Sequence, residues 1–136
     1  MKLVVMAPSS APLVDGPALM AAAEQRFGPA MRVQRSPAGW DTDFHLYVTL
    51  DNGDSLTVSH FADNASISFE ANEDTVRETV AWYRSLLPVD FPRLIAFDEV
   101  WTGHVDLAPG IPAADIAVRW VDHSITGWNA GDPDFH

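Results

Sequence analysis

The sequence contains no cysteine, few basic residues and no long apolar run at its N-terminus, and each absence excludes a class of structure or function. Without cysteine the chain has no disulfide, no thiolate nucleophile and no thiolate metal site. The apolar run from Leu3 to Ala7 is too short for a membrane span or for the core of a signal peptide. Eight basic residues against 19 acids, with a pI near 4.5, argue against binding to a phosphate backbone. We therefore expect a cytoplasmic protein that binds neither nucleic acid nor membrane.

The shortage of basic residues is greatest in one stretch. No lysine or arginine lies between Ser36 and Val76, and the same stretch holds eight acids: Asp41, Asp43, Asp51, Asp54, Asp63, Glu70, Glu73 and Asp74. A surface with such a field attracts basic partners, so the stretch indicates partner choice rather than a reaction. The seven arginines and single lysine, beside abundant alanine, aspartate and proline, are typical of GC-rich bacterial genomes.

The residues that are present indicate a folded domain. Hydrophobic residues make up 47% of 136 residues and recur in patterned blocks, so the net charge of -11 does not predict disorder. We predict a single α+β domain over residues 1–123, in which an antiparallel β-meander has helices packed on one face. Glycine, asparagine, aspartate and proline dominate residues 124–136, which we predict to form an irregular C-terminal tail.

Residues 43–70 carry the clearest pattern, because apolar and polar residues alternate along them as in half-buried strands. The Asn-Gly pair at 52–53 is typical of a two-residue hairpin turn, but that register would place apolar side chains opposite polar ones. A three-residue loop from Asp51 to Gly53 instead pairs Val48 with Leu56 and Leu46 with Val58. We predict that register, with Gly53 in the left-handed conformation, and a third strand from 65 to 70.

Helices are predicted on either side of this meander. Asp15 and Asn72 are each placed to cap one, and the apolar positions Val76, Val80, Tyr83 and Leu87 of the second recur at helical spacing. Further strands are predicted at 3–5, 31–35, 94–100 and 104–107. Residues 112–122 fit a third helix, although alternation of Ile116, Val118 and Trp120 also fits a strand, and both interpretations stay open.

The polar face of the meander and the exposed aromatic residues supply the candidate binding site. We select as binding residues Asp41, Asp43, His45, Tyr47, Glu70, Trp40 and Trp101. His45 should face Ser59, as a base faces a hydroxyl nucleophile, but neighbours on a flat sheet rarely supply an oxyanion hole. The two tryptophans lie outside the apolar stripes and suit interface anchors. We select no catalytic residue.

Metal and cofactor sites find little support in the residue spacing. His104 with Asp106, Asp98 with Glu99 and Asp122 with His123 could each offer two ligands, but no HExxH or comparable spacing occurs. No phosphate-cradling glycine pattern is present. We therefore predict neither a metal nor a cofactor, and we interpret His60, on the apolar side near Phe44, as an edge or core histidine that makes one hydrogen bond.

The order of elements resembles that of the small acidic immunity proteins of bacterial toxin systems. The resemblance covers roughly residues 43–107 and rests on the meander, the helix from Thr75 to Leu87 and the strand from Leu94 to Val100. It implies a non-enzymatic protein that neutralises a toxin by occluding its active surface, often with acids facing a basic nuclease.

Three hypotheses follow from the sequence. The first is a non-enzymatic binding or inhibitory module whose acidic surface contacts a basic partner protein. The second is a small enzyme or ligand-binding domain with a pocket on the open sheet face around His45, Tyr47 and Glu70. The third is a structural protein that associates with itself.

Overall fold

The computed structural model of the chain describes residues 1–126. These residues form one antiparallel sheet of eight strands in the order β2-β3-β4-β5-β1-β6-β7-β8. The strands are β1 (Lys2–Met6), β2 (Met31–Arg35), β3 (Thr42–Thr49), β4 (Ser55–Phe61), β5 (Ser66–Glu70), β6 (Ile95–Asp98), β7 (Gly103–Asp106) and β8 (Val121–Asp122). The helices are α1 (Gly16–Phe27), α2 (Glu73–Ser85), α3 (Ala113–Val118) and the short α4 (His123–Thr126), and a 3-10 turn, Gly28–Ala30, follows α1. The predicted α+β class is confirmed.

The hairpin between β3 and β4 has the predicted three-residue loop. Val48 lies opposite Leu56 and Leu46 opposite Val58, so that all four side chains point into the core. Gly53 has a φ of 87°, which is the left-handed conformation that such a loop requires and that glycine adopts without steric cost. Burial of one apolar face therefore selected the register, as the alternating pattern predicts.

A bulge at the start of β3 corrects one prediction. Thr42 pairs with Phe61 but Phe44 pairs with His60, so β3 has one residue more than β4 across this interval. The extra residue turns the Asp43 side chain to the helix side, where it contacts His60 instead of joining His45 on the polar face. The prediction that Asp43 shares a surface with His45 and Tyr47 is wrong, because the alternation that carried it is interrupted at this point.

Helices α1 and α2 cover the same face of the sheet. The Asp15 side chain accepts from the Ala18 amide, and the Asn72 side chain accepts from the Thr75 amide, each at 2.9 Å, so both predicted caps are confirmed. The two helices meet where the Phe27 and Trp82 rings lie 5.7 Å apart.

The buried Tyr83 ties the two helices to each other and to the sheet. Its ring packs 5.5 Å from that of Phe69 on β5, and its hydroxyl accepts from the Val14 amide, just before α1, at 3.2 Å. Burial raises the pKa of this phenol well above its ordinary value of 10.0. The tyrosine is therefore kept neutral where α2, β5 and the start of α1 meet.

Both interpretations of residues 112–122 are partly correct. The helix ends at Val118, after six residues, and the chain then adds Val121–Asp122 to the sheet as strand β8. Side-chain and amide hydrogen bonds from Ser124 lower the pKa of Asp122 as α4 begins. The helical segment His123–Thr126 replaces the irregular structure predicted from residue 124, and residues 127–136 lie outside the part that the structure describes.

The first strand lies in the middle of the sheet, between β5 and β6. Leu3 pairs with Phe69 on one side and with Asp98 on the other, and both Leu3 and Val5 are fully buried. This placement brings the first residues of the chain next to the start of α2 and the end of β6. Among the described residues no helix combines the length and the apolar character that crossing a bilayer requires.

Candidate functional site

One end of the sheet collects most of the acids that precede residue 100. The β3–β4 loop, the end of β5, the start of α2 and the end of β6 all lie at this end, because antiparallel strands return there alternately. Eight acids occupy it: Asp51, Asp54, Glu70, Glu73, Asp74, Glu78, Asp98 and Glu99. Lys2 and Arg77 are basic side chains that form ion pairs with some of them. We call this surface the acidic end.

A groove of about 550 Å³ opens at the acidic end between α2, α3 and the β6–β7 turn. Its apolar lining consists of Met1, Leu3, Val100, Ile116, Ala117 and Trp120, and its polar lining of Lys2, Glu73, Arg77, Asp98, Glu99 and Thr102. Leu3 and Ile116 are buried and form the floor, whereas Val100 is 72% exposed at the rim. We call this cavity the acidic groove, and its combination of apolar floor and charged rim is typical of binding sites.

The ion pairs at the rim join half-buried bases to exposed carboxylates. Lys2 lies 3.5 Å from Glu99, and Arg77 lies 3.4 Å from Glu73 and 3.9 Å from Asp74. Ion pairs with carboxylates exposed in this way contribute little, about 0.2–1 kcal/mol each. A cation from another molecule can therefore replace Lys2 or Arg77 beside these carboxylates with little loss of stability.

The β6–β7 turn forms one wall of the acidic groove, and Asp98 holds it. The carboxylate of Asp98 accepts from the Thr102 amide at 2.7 Å and from the Thr102 hydroxyl. Trp101 adopts a left-handed φ of 60° in this turn, which is unusual for a bulky residue. Contacts with Phe97, at 4.6 Å between ring centroids, and with His123, at 5.0 Å, hold its ring in place. Trp101 is therefore half-buried in the turn, and the exposed anchor that the sequence predicted is not found there.

Gly103 lets Trp120 line the groove. A Cβ atom on Gly103 would collide with the Trp120 indole, because it would come within 2.7 Å of Cζ2 and closer still to Nε1. Only glycine leaves room for the ring to lie against the start of β7. The shape of the acidic groove thus depends on this one residue.

The seven predicted site residues do not form one site. Glu70 ends β5 and lies in the same row of the open face as Tyr47, with Thr57 between them, and His45 lies two residues before Tyr47 on that face. Trp40, which is 60% exposed, and Asp41 lie at the opposite end, where the Asp41 carbonyl accepts from the Ala62 amide.

The open face around His45 is a network of hydroxyl groups. His45 contacts the Ser59 hydroxyl at 2.8 Å and the Thr42 hydroxyl at 3.5 Å, and Thr42 in turn contacts Ser36 at 2.9 Å. These partners are hydroxyls, and a serine nucleophile requires a base that a third group orients. Four grooves of about 340–550 Å³ that described residues line include neither His45 nor Tyr47.

His60 is a core histidine, as predicted. It stacks on Phe44 at 4.9 Å, its Nδ1 lies 2.6 Å from the Asp43 carboxylate, and its Nε2 lies 3.2 Å from the Val14 carbonyl. Both partners offer acceptor oxygens, the Asp43 carboxylate to Nδ1 and the Val14 carbonyl to Nε2. This pair fixes the bulge of β3 to the segment before α1.

The histidines considered as metal ligands also have structural partners. Nδ1 of His104 lies 2.7 Å from Nε2 of His123, whose Nδ1 donates to the Trp101 carbonyl at 2.8 Å. Asp106 forms an ion pair with Arg93 at 2.5 Å. Within the described residues there is no group of three side chains that could hold a metal ion.

Comparisons with known proteins leave the function to be argued from this geometry. No protein-family model, curated protein or solved structure matches the chain. The resemblance to immunity proteins therefore stays a prediction.

The sequence pattern did not identify the acidic groove, because its residues come from four separate segments. One signal was present: acids follow the ends of three strands, at Asp51, Glu70 and Asp98. In an antiparallel sheet, strands that run in the same direction end on the same side. The groove could have been predicted only with the strand order, which places β1 between β5 and β6.

Proposed function

We propose that this protein is a protein-binding module whose acidic groove receives a basic segment of a partner protein and thereby occludes it. The observation that carries the proposal is the apolar floor of Leu3, Ile116 and Trp120 beneath a rim rich in carboxylates. A basic segment with interspersed apolar residues complements both parts, because its cations reach the rim while its apolar side chains reach the floor.

The charge of the acidic end supports the same kind of partner. Eight carboxylates beside Lys2 and Arg77 generate a negative potential that steers a basic partner toward the groove. Such steering raises association rates and weakens as salt shortens the Debye length to about 8 Å at physiological ionic strength. Neutralisation of a basic toxin, the role that the immunity-protein resemblance implies, is one function that such a surface would serve.

The proposal is tested by fluorescence anisotropy with a labelled nine-residue peptide that alternates lysine and leucine. We expect binding that weakens with added salt and that falls about tenfold in the double variant Glu70→Lys/Glu99→Lys, since both changes reverse charge at the acidic end. The matched control is Asp41→Lys/Asp90→Lys, which makes the same change in net charge on exposed residues away from the groove.

The control variant distinguishes binding at the acidic groove from a general attraction between the basic peptide and an acidic protein. Equal losses in the two double variants would show that the peptide responds only to net charge, and the proposal would be rejected. Binding of a peptide with glutamine in place of lysine as tightly as the basic peptide would reject it as well.

A further inference from the structure

The eight basic residues of the chain fall into three groups. Four of them form ion pairs with acids: Lys2, Arg77, Arg93 and Arg119. Arg84 is buried and donates to the carbonyls of Leu107, Leu87 and Pro88. The other three, Arg26, Arg32 and Arg35, are exposed, and none of them has an ion pair within the described part of the chain.

All three arginines lie along one edge of the sheet. Arg32 and Arg35 belong to β2, and Arg26 lies in the last turn of α1, which leads into that strand. Strand β2 ends the sheet and pairs with β3 alone, and four of its five residues are exposed. The opposite edge, β8, has only two residues and leads directly into α4. We call Met31–Arg35 together with Arg26 the β2 edge.

Two of the arginines are held in place by aromatic rings. The Arg32 guanidinium lies 4.9 Å from the centre of the Tyr47 ring, and that of Arg26 lies 5.3 Å from Trp82 and 5.7 Å from Phe27. A guanidinium that rests on a ring keeps the donors along its rim available for a carboxylate. Their position is therefore set before any acid binds.

A second groove lies beside the β2 edge. It has a volume of about 340 Å³ and lies between α1 and the strands, lined by Gly16, Pro17, Met20, Ala21, Glu24, Arg35, Asp43 and Phe44. A strand added next to β2 would point alternate side chains toward α1, and this groove offers apolar contacts for one of them. Arg35 at its rim would face a carboxylate of the same strand.

We propose that the β2 edge binds an acidic extended segment of a partner protein, which adds a strand to the sheet beside β2. Main-chain hydrogen bonds supply affinity in this mode of recognition, and alternate side chains supply specificity. Carboxylates of the segment would reach Arg32 on the open face and Arg35 on the helix side. A second copy of this chain is a poor occupant, because antiparallel pairing of two β2 strands would place Arg32 and Arg35 of both copies along one ladder.

This inference is independent of the function proposed for the acidic groove. The two surfaces lie on different elements and carry opposite charge. Either can fail in experiment without affecting the other, because their probes are peptides of opposite sign.

The test uses the whole protein and a labelled nine-residue peptide in which pairs of glutamates alternate with pairs of valines, so that each face of the added strand carries both residue types. We expect Arg32→Glu and Arg35→Glu each to weaken binding by about tenfold, because each replaces an attraction by a repulsion. Arg119→Glu, an equal change of charge at an exposed base on another element, should leave binding almost unchanged. Hydrogen exchange should show slower exchange of amides within 31–35 when the peptide is bound.

Several outcomes would overturn the proposal. Equal losses for Arg32→Glu and Arg119→Glu would mean that the peptide senses net charge alone. Equally tight binding of a peptide with glutamine in place of glutamate would remove the role of the arginines. A dimer in sedimentation, with amides 31–35 protected in the absence of peptide, would identify a second copy as the occupant. Arg32→Gln and Arg35→Gln, with circular dichroism, keep the test decisive if a charge reversal disturbs folding.

Discussion

The acidic groove and the β2 edge lie on the same sheet and differ in how they present charge. In the groove, acids outnumber bases, and the bases Lys2 and Arg77 are already in ion pairs with some of them. At the β2 edge two of the three cations, Arg26 and Arg32, rest on aromatic rings, and none of the three has an acid partner among the described residues. The groove would have to exchange ion pairs in order to bind, whereas the edge has its donors free.

This difference shows that the net charge of a chain describes its surfaces poorly. A net charge of -11 suggests a uniformly acidic protein, yet three exposed arginines collect at one edge. Local arrangement decides which partner each surface attracts, because fields from exposed charges fall off over roughly one Debye length, about 8–10 Å. The two proposals together assign partners of opposite charge to the two surfaces.

The largest expected effect is the loss of peptide binding at the acidic groove while binding at the β2 edge is kept. Gly103→Ala would force the Trp120 indole out of the groove, and overpacking of this kind destabilises by about 1–3 kcal/mol. We expect the lysine peptide to lose binding while the glutamate peptide keeps it, as measured by anisotropy beside urea unfolding.

Gly16→Ala is the matched control for that variant. Its added Cβ would lie 3.1 Å from Phe44 and 3.4 Å from Asp43, so only small shifts are needed. Loss of lysine-peptide binding in Gly16→Ala to the same degree as in Gly103→Ala would contradict the role given to Trp120.

The next effect concerns Tyr83, which joins the helix of the groove to the segment before α1. Because burial raises the pKa of Tyr83, the unfolded chain ionises first as the pH rises. The tyrosine therefore contributes its full stability below pH 10.0, its ordinary pKa, and loses that contribution progressively above it.

Tyr83→Phe should remove this alkaline dependence and lower stability by about 1 kcal/mol at neutral pH, since the Val14 amide loses its acceptor. Urea unfolding between neutral pH and alkaline pH measures both effects. If the free energy of unfolding of Tyr83→Phe fell with pH as steeply as that of the wild type, another group would have to account for the alkaline loss.

A smaller effect is expected for Asp98→Asn, which changes one wall of the acidic groove. The carboxamide can still accept from Thr102 but carries no charge, so we expect a loss of about 0.5–1.5 kcal/mol in stability. Lysine-peptide binding should weaken a few-fold while binding at the β2 edge is unchanged. A variant that weakened both peptides equally would show that the β6–β7 turn supports the whole sheet rather than the groove.

The smallest effect is expected for Trp40→Ala, beyond the end of β2. Trp40 is 60% exposed, so its removal should change stability by less than about 0.5 kcal/mol. If the side chain contacts a segment bound at the β2 edge, the glutamate peptide will bind a few-fold more weakly and the lysine peptide will be unaffected. If Trp40→Ala bound both peptides as tightly as the wild type does, Trp40 would not belong to the interface.

Local patterns in the sequence predicted the parts of the fold that depend on neighbours in the chain. The caps at Asp15 and Asn72 and the pairing of Leu46 with Val58 follow from short-range chemistry and from burial of one face. The bulge that turns Asp43 away from His45 does not follow from such local chemistry. The alternation of residue types along β3 does not reveal that one extra residue lies opposite β4.

The candidate site was less predictable than the fold. Its floor joins Leu3 to Ile116 across nearly the whole length of the chain, and only the strand order brings them together. The sequence located the acidic stretch correctly, but it could not show that Glu70 and Asp41 lie at opposite ends of the sheet. The sequence predicted which side chains carry charge, whereas the strand order was needed to predict which of them lie close together.

The central position of β1 also determines when the protein can finish folding. This strand is synthesised before both of its neighbours, and it is enclosed only when β5 and then β6, which ends at Asp98, become available. Pairings between such distant segments slow folding, because a long loop must close before any contact forms. A ribosome-bound chain shorter than this would expose the Leu3 and Val5 side chains and an unpaired strand edge, which is the state most prone to aggregate.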